Sequence, residues 1–526
     1  MTKFMKSKES ISSSLLLWDE RSTEVSIEET YDLKVWPVTN ILNEGPINFV
    51  IPPQPKGMMS DIHICTKIKL QKNGEDLNNL EDMISITNNF ANSLWGQVDI
   101  QVDERIDLTQ SMKNAYAYQT FFNHVLNTES THSDYLYTNE LFKMDEGATK
   151  NFARMLTIDN LDWDENIDLK SLMTEKDRTD EEVATIVQNV KELVKNYNGD
   201  NISTTIAQIH TALGQGTPIY TPERAKYFDL ILNGYIPKTI PGSNTSAAER
   251  VSKICRGESI TLFSKLQCPL FNTSKCLPTD MKIRISLTKN SDDFYLLDNT
   301  ATKNSLYIED CHLAVSYYRP RDSILQHIEQ RIQKEPAHYT ITRPELIVKP
   351  ISNAGRIIRL TDIFHNKLPS HAFFCLQESS GFEGDPLSNP YIFIPFKKFQ
   401  FYINGTPYFK DPLEVKSVKH LGSVDYIYSG HEEFLRQLYE TIGKDLKGDC
   451  LINSSNFQLN FMVGMSFGAD RSSITESHLN LQEKASTYLE IDMGINEVPE
   501  DMVLIVYALF DRQVEIDGER KVKIIE

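Results

Sequence analysis

The sequence of 526 residues predicts a mainly β protein, all-β in class, built from two consecutive β-sandwiches with helical insertions. The first reason is a strand–turn–strand–helix piece that occurs twice. QVDIQVDERIDL (97–108) alternates apolar and polar residues around a turn, and the helical run AYAYQTFFNHVL (115–126) follows it. FQFYINGTPY (399–408) repeats the alternation around a turn at Asn404-Gly405, before HEEFLRQLYETI (431–442). Short strand-like runs separated by turn residues fill both halves, which favours sandwiches over a doubly wound sheet.

The first half is interpreted as an N-terminal arm, a sandwich and a long insertion. Residues 1–40 are rich in Ser and Glu and have a positively charged tip, so we interpret them as an arm. MSDIHICTKIKL (59–70) alternates like a half-buried strand. Residues 128–250 are polar and acidic, and TDEEVATIVQNVKELVKNY (179–197) carries apolar residues at helical spacing. We therefore expect the first sandwich at 41–322, with a partly helical insertion at about 128–250.

The second half repeats the pattern with shorter insertions. SILQHIEQRIQKEP (323–336) is a short amphipathic helix that ends at a proline, and we interpret it as the linker between the sandwiches. Residues 337–526 then hold strand-like runs, from YTITRPELIVKPI (339–351) to DMVLIVYALFDRQVEI (501–516). Both halves close on a long strand that contains aromatic residues. Two copies of one sandwich explain this better than two unrelated domains.

Composition excludes several classes of protein. The formal net charge is −19, and contacts with phosphate require Lys and Arg, so we expect no sequence-specific nucleic-acid binding. The seven cysteines are scattered with no CxxC pair, which indicates free thiols. No apolar stretch approaches the ~20 residues of a membrane span. The apolar run Leu15–Trp18 is also too short for a signal peptide.

One motif resembles the nucleophile elbow of hydrolases. Gly464-Met465-Ser466-Phe467-Gly468 matches G-x-S-x-G, in which a strand turns sharply into a helix and exposes the serine. A strand does precede it, but the polar ADRSSITESH that follows does not fit a buried crossover helix. His478 is the single histidine downstream of Ser466. We expect the two glycines to mark a strand end or a bulge, and we predict no catalytic residue.

Three further groups could bind metal or phosphate, and we predict that none of them does. His63 and Cys65 share a strand face, and Cys311-His312 are adjacent, but no converging ligands are evident. GFEGDPLSNP (381–390) carries acidic and amide side chains without a calcium-loop pattern, so we interpret it as a plain surface loop. Gly-rich stretches near 214 and 241 lack the lysine of a phosphate loop. We therefore expect no metal site and no cofactor.

Several stretches together resemble the double jelly-roll major capsid proteins of Polinton/Maverick elements and adintoviruses. NNFANSLWGQVDIQVDERIDL (88–108), with the aromatic helix after it, is similar to a strand pair of that family. DIFHNKLPSHAFFCLQESSGFEGDPLSNPYIFIPFKKFQFYINGTPY (362–408), preceded by AHYTITR (337–343), resembles the opening of the family's second jelly roll. MVLIVYALFDRQVEID (502–517) is similar to its closing strand. The 128–250 region has no counterpart in this resemblance.

The resemblance implies two jelly rolls and a structural role in a virion. Three chains would form a homotrimer of pseudo-hexagonal outline, which would tile an icosahedral shell around double-stranded DNA. Its partners would be itself, neighbouring capsomers and a penton or minor capsid protein. It would be made in the host cytoplasm and reside in the virion, with the nucleus as a candidate site of assembly. A domesticated cellular β-sandwich interaction protein without enzymatic activity is the alternative, and failure to form trimers or shells would distinguish it.

Overall fold

A computed structural model describes residues 24–145 and 245–525, with short gaps at 42–44, 73–74, 77–84, 103–105, 108, 111, 255–257, 298–303, 353–354, 387, 421–425, 445–448, 455, 458, 469, 475–482 and 495–500. Most of the expected insertion, including the predicted helix at 179–197, lies outside these residues. So do the N-terminal 23 residues and His478.

Eight strands of the first half form two antiparallel sheets that face each other. One sheet has the order β1-β8-β3-β6 and the other has the order β2-β7-β4-β5. The strands are β1 (Ile27–Val35), β2 (Ile47–Ile51), β3 (Met58–Lys72), β4 (Trp95–Val102), β5 (Ile106–Asp107), β6 (Ile260–Lys265), β7 (Ile283–Lys289) and β8 (Asn304–Pro320). This strand order is that of a jelly roll.

The second half repeats the same order with every strand number raised by eight. Its sheets are β9-β16-β11-β14 and β10-β15-β12-β13, again antiparallel throughout. The strands are β9 (Ala337–Ser352), β10 (Ile357–Thr361), β11 (His371–Glu378), β12 (Lys398–Ile403), β13 (Thr406–Pro407), β14 (Val463–Ser466), β15 (Thr487–Asp492) and β16 (Asp501–Ile516). The double jelly roll expected from the sequence is therefore confirmed.

Short strands extend this frame. A final strand, β17 (Val522–Ile525), pairs with the end of β16. The remaining short strands are Glu75–Asp76, Ser85–Ile86, Leu296–Leu297, Leu413–Glu414, Ser417–His420 and Tyr426–Ser429.

Helices lie at the strand connections. They are α1 (Phe90–Ser93), α2 (Ala115–Asn127), α3 (Ser133–Glu140), α4 (Thr245–Ile254), α5 (Asp292–Tyr295), α6 (Asp322–Ile332), α7 (Ser379–Glu383) and α8 (Glu432–Ile442), with a 3₁₀ turn at Ser130–His132. Helix α2 follows the hairpin β4–β5 and α8 follows the hairpin β12–β13, so both predicted hairpin–helix pieces are confirmed. Helix α6 connects the two jelly rolls. None of the helices that the structure describes is long and apolar enough to cross a membrane.

The first strand corrects the interpretation of residues 1–40 as an arm. Ile27–Val35 pairs along its length with β8, from Ile27 opposite Pro320 to Val35 opposite Leu313. Most of its side chains are exposed, so the strand is held mainly through its backbone. It lies at the edge of its sheet, where charged side chains discourage pairing with other chains. This explains why its sequence lacks the apolar alternation of a half-buried strand.

Candidate functional site at the junction of the two jelly rolls

Helix α2 belongs to the first jelly roll by sequence, but it packs against both. Ten of its thirteen residues are buried, among them two tyrosines and two phenylalanines. A helix that is apolar on nearly all sides must be enclosed by other elements. The hairpin β4–β5 before it delivers the helix to the boundary between the jelly rolls. The duplicated hairpin–helix piece thus contributes the central element of the junction.

Aromatic rings of α2 interlock with rings of the second jelly roll. Phe121 stacks on Tyr391 with ring centroids 4.5 Å apart. Phe122 stacks on Tyr507 of β16 at 5.1 Å and on Phe393 at 5.8 Å. All five side chains are buried. Aromatic pairs of this geometry contribute ~1 kcal/mol each beyond the burial of their area.

Buried tyrosine hydroxyl groups form hydrogen bonds across the junction. The Tyr118 hydroxyl donates a 2.8 Å hydrogen bond to Oε1 of Gln377 on β11. The hydroxyl groups of Ser93 and Tyr391 lie 2.6 Å apart across the junction. Burial raises the pKa of both tyrosines far above the usual range, so each phenol keeps its proton. Directional hydrogen bonds therefore add orientation to an otherwise apolar contact.

Side-chain amides of the first jelly roll bind the backbone of the second. The amide of Gln110 donates to the Leu346 carbonyl at 2.9 Å and accepts from the Leu346 N–H at 2.8 Å, as a neighbouring strand would. Gln119 of α2 donates to the Pro344 carbonyl at 3.3 Å. Asn114 Nδ2 donates to the Phe382 carbonyl at 2.9 Å. Each satisfies backbone groups that would otherwise need water.

A fully buried ion pair lies at one end of the junction. Arg250 Nη2 and Asp145 Oδ1 are 2.6 Å apart, and the two side chains are 0% and 1% exposed. Arg250 also donates to the Lys143 carbonyl at 2.6 Å. From the second jelly roll, Asn389 Nδ2 donates to the other oxygen of Asp145 at 3.3 Å. The pair therefore connects both flanks of the expected insertion to the second jelly roll.

A cleft of about 440 Å³ opens between the jelly rolls where α2 meets β9. Residues of α2, of the segment after β6 and of β9 line it. The polar groups facing it are mainly amides and hydroxyls, including Gln119, Asn123, Gln267, Asn272 and Thr342.

Ser466 lies in a setting that does not fit a nucleophile elbow. It is a buried residue at the end of β14, where it pairs with His371 of β11. Its hydroxyl donates a 2.7 Å hydrogen bond to the Ser472 carbonyl. His371 Nε2 is also bound to that carbonyl, at 2.8 Å, and no hydrogen bond joins it to the Ser466 hydroxyl among the described residues. A Cβ added at Gly464 would lie 3.0 Å from Cβ of Thr441 and 3.1 Å from the ring of Phe373, so close packing explains this glycine.

The His and Cys side chains considered above as metal ligands have packing roles. His312 lies opposite Cys65 in the pairing of β8 with β3, so these two and His63 share one sheet face. His63 stacks on Phe263 at 4.5 Å, while the Cys311 side chain is in the core. Burial raises the pKa of Cys65 to about 11 and that of Cys311 to about 12. Within the described part of the chain, no group of three His, Cys, Asp or Glu side chains could hold a metal ion.

The interpretation of residues 381–390 as a plain surface loop is wrong. The carbonyls of Phe382 and Glu383 accept hydrogen bonds from Asn114 and Lys113 of the first jelly roll. Gly384 has φ +93°, and a Cβ added there would lie 3.4 Å from Cα of Phe294 in the first jelly roll. Asn389 binds Asp145, as described above. Sequence reasoning missed this role because the partners lie roughly 90 to 270 residues away along the chain. The Gly and Pro residues indicated an unusual backbone, but they gave no information about its contacts.

No protein-family model and no curated protein sequence matches the chain. Several solved structures, in contrast, are similar to it in fold. The chain is similar to one in the 3.5 Å cryo-EM structure of the Sputnik virophage, with a TM-score of 0.54 and 10% identity over 99% of this chain and 93% of that one. It is also similar to the Faustovirus major capsid protein, with a TM-score of 0.51 and 9% identity over 95% and 92% of the two chains. These likenesses extend over both jelly rolls and support the fold.

Proposed function

We propose that this chain is the major capsid protein of a virus-like element of the Polinton/Maverick kind. On this proposal it forms homotrimeric capsomers of pseudo-hexagonal outline, and the capsomers build an icosahedral shell around double-stranded DNA. The observation that carries the proposal is the identical strand order of the two halves, 1-8-3-6 with 2-7-4-5, repeated within one chain. The full-length likeness to the Faustovirus major capsid protein supports it.

The duplicated jelly roll suits a shell subunit for a geometric reason. Three chains with two similar sandwiches each present six similar sides, and six sides allow hexagonal tiling. Closed assemblies require interfaces at fixed angles. The aromatic and amide contacts of the junction would set the angle between the two sandwiches of each chain. We propose the corresponding division of the chain: a first jelly roll that begins at β1 rather than at residue 41 and extends to 322, the linker helix at 323–336 and the second jelly roll at 337–526.

The charge of the chain fits a container better than a DNA-binding protein. At −19 per chain, a shell would repel the phosphate backbone unless other components neutralised it. We propose that the protein encloses DNA without sequence-specific contacts, resides in the virion, and meets a penton or minor capsid protein at the vertices. The N-terminal residues before β1, with Lys3, Lys6 and Lys8, carry positive charge that could face the interior.

The mass of the purified protein in solution tests the proposal. The chain has a mass of 60.3 kDa, so a trimer has about 181 kDa. We expect light scattering to give that value at micromolar concentration, and electron microscopy of the same peak to show hexagonal outlines. A monomer at concentrations above about 100 μM would contradict the proposal, since stable interfaces of capsid size do not dissociate there. It would instead favour a cellular interaction protein without shell assembly.

A further inference from the structure

Strand β9 lies at the edge of its sheet, and part of this edge borders the cleft between the jelly rolls. Its partner on one side is β16, from Ala337 opposite Ile516 to Ser352 opposite Asp501. On its other side the structure shows no strand among the described residues. Edge strands present alternate N–H and C=O groups that can pair with another chain. The chemistry along this edge therefore decides what can bind there.

The even-numbered residues of β9 direct their backbone groups away from β16. Leu346 uses both its N–H and its C=O to bind Gln110. The Pro344 carbonyl accepts from Gln119, and the His338 carbonyl accepts a 2.7 Å hydrogen bond from Lys275 Nζ. Because backbone groups alternate sides along a strand, those of Thr340 and Thr342 point the same way.

Several backbone groups along this edge are already bound or missing. Pro344 and Pro350 occupy outward positions and have no N–H to offer. Gln110 binds both the N–H and the carbonyl of Leu346, and Lys275 binds the carbonyl of His338. Val348 also faces outward, and no hydrogen bond reaches its backbone from that side among the described residues, but it does not line the cleft. Thr340 and Thr342 do line the cleft, with two N–H and two C=O groups. Among the described residues, no hydrogen bond reaches these four groups from the outward side.

The cleft favours an uncharged extended segment. Its lining, in the described part of the chain, includes no Lys or Arg, and Asp511 is its single carboxylate. Asn123, Gln267 and Asn272 are amides that can bind hydroxyl or backbone groups. A segment carrying many charges would lose hydration here without gaining partners.

We propose that residues Ser10–Leu17 of this chain bind in the cleft as an added strand on the Thr340–Thr342 edge. The segment reads SISSSLLL, eight residues without a charge, between Lys8-Glu9 and Trp18-Asp19. Its hydroxyls match the amide lining, and its backbone supplies the complementary pairing groups of β-augmentation. This inference does not depend on the proposed function.

The length of the tether and the local concentration that it produces both favour binding of the chain's own segment. Ser26 accepts a hydrogen bond from the Arg321 N–H, at the start of α6, and β9 begins five residues after α6 ends. The nine residues from Leu17 to Ser26 can span ~30 Å when extended. Helix α6, with 11 residues, is ~16 Å long. A tethered segment also reaches an effective concentration in the millimolar range.

Amide hydrogen exchange of the full chain, read at single residues, tests the proposal. We expect the N–H groups of Thr340 and Thr342 to be protected in the unmodified protein. The variant Ser12→Pro/Ser13→Pro removes one backbone N–H from each edge of the segment. In this variant the exchange of the Thr340 and Thr342 N–H groups should accelerate about tenfold or more. The matched control, Thr2→Pro/Ser7→Pro, places the same substitutions outside the segment and should leave exchange unchanged. The N–H of Ile341, which faces β16, is the internal reference.

Three results would overturn the proposal. Rapid exchange of Thr340 and Thr342 in the unmodified protein would mean that nothing pairs with the edge. Equal protection in both proline variants would mean that another element covers it. Protection that disappears on dilution would assign the added strand to a neighbouring copy rather than to the chain's own segment.

Discussion

The buried pair of Asp145 and Arg250 is the most consequential polar contact at the scale of single residues. Two desolvated charges are tolerated because each compensates the other and because the Lys143 carbonyl and the Asn389 amide add one further hydrogen bond to each. Removing one member leaves the other charge buried without a partner, which costs far more than losing an exposed pair. The contact also joins residues on both sides of the expected insertion, so its loss would affect more than one element.

We expect Asp145→Ala to lower the free energy of unfolding by ~3–5 kcal/mol. The control is Lys56→Ala, which breaks a pair with Asp322 whose side chains are 56% and 65% exposed. That change should cost less than ~1 kcal/mol. Denaturant unfolding of both variants, followed by circular dichroism, gives the comparison. Equal losses of stability in the two variants would show that water hydrates the Arg250 guanidinium once Asp145 is removed.

His371 gives the stability a predictable dependence on pH. Burial lowers its pKa below the ordinary 6.5, although the Ser472 carbonyl, Asp511 and Asp470 oppose this. The unfolded chain therefore binds a proton at a pH where the folded chain does not. The resulting stabilisation is complete above pH 6.5 and is lost as the pH falls from 6.5 through the lowered folded value.

Replacing His371 by Gln should flatten this part of the pH profile. Gln can still donate to the Ser472 carbonyl but does not titrate. We expect the melting temperature to fall less between pH 7.5 and pH 5.5 in His371→Gln than in the unmodified protein, by a few degrees. The control is His327→Gln, an exposed position on α6. If both variants keep the original pH dependence, other groups control it.

At the scale of elements, the hairpin β12–β13 shows how a local sequence determines a local structure. Asn404 and Gly405 have φ values of 49° and 79°, and Ile403 pairs directly with Thr406. A two-residue turn with two positive φ values suits the twist of a hairpin, and Asn-Gly is the usual sequence for it. The turn was predictable because all of its determinants lie within four residues.

Gly405→Ala should destabilise the protein by ~1 kcal/mol because of backbone strain at positive φ. A Cβ at Gly405 would meet no neighbouring atom, so crowding does not contribute. Gly355 supplies a matched control, since a Cβ there also meets nothing and its φ is not positive. We expect Gly355→Ala to be neutral within ~0.5 kcal/mol. Thermal unfolding of both variants measures the difference, and similar values would rule out the strain argument.

Elements that depend on distant partners were harder to predict than the hairpins and helices. Strand β1 has exposed charged side chains and is held mainly through the backbone of β8, so its sequence resembles a frayed terminus. The segment around Gly384 and Asn389 looks like a loop because its partners, Asn114, Phe294 and Asp145, are far away in sequence. Alternation and turn residues report local geometry, while edges and junctions are decided by tertiary contacts.

At the scale of the whole molecule, the two jelly rolls share one hydrophobic core. Most of the buried apolar residues of both halves form one continuous cluster, which passes through Phe121 and Phe122. Sequence predicted two sandwiches and correctly placed α2 after the first hairpin, but it contained no signal that α2 packs on β16. Domains joined by a large apolar contact move and unfold together, whereas domains joined by a tether do not.

We therefore expect the two jelly rolls to unfold in one calorimetric transition. We expect the substitution Phe122→Ala to divide this transition into two. The substitution should cost ~3–5 kcal/mol, and the loss falls on the contact between the jelly rolls. Phe364→Ala is the matched control, because Phe364 is equally buried but contacts Phe374, Phe401 and Phe467 within the second jelly roll. Its transition should move to lower temperature without dividing. A single transition in both variants would mean that other contacts, such as those of Gln110 and Arg250, suffice to couple the jelly rolls. Two transitions in the unmodified protein would mean that the shared core does not couple them.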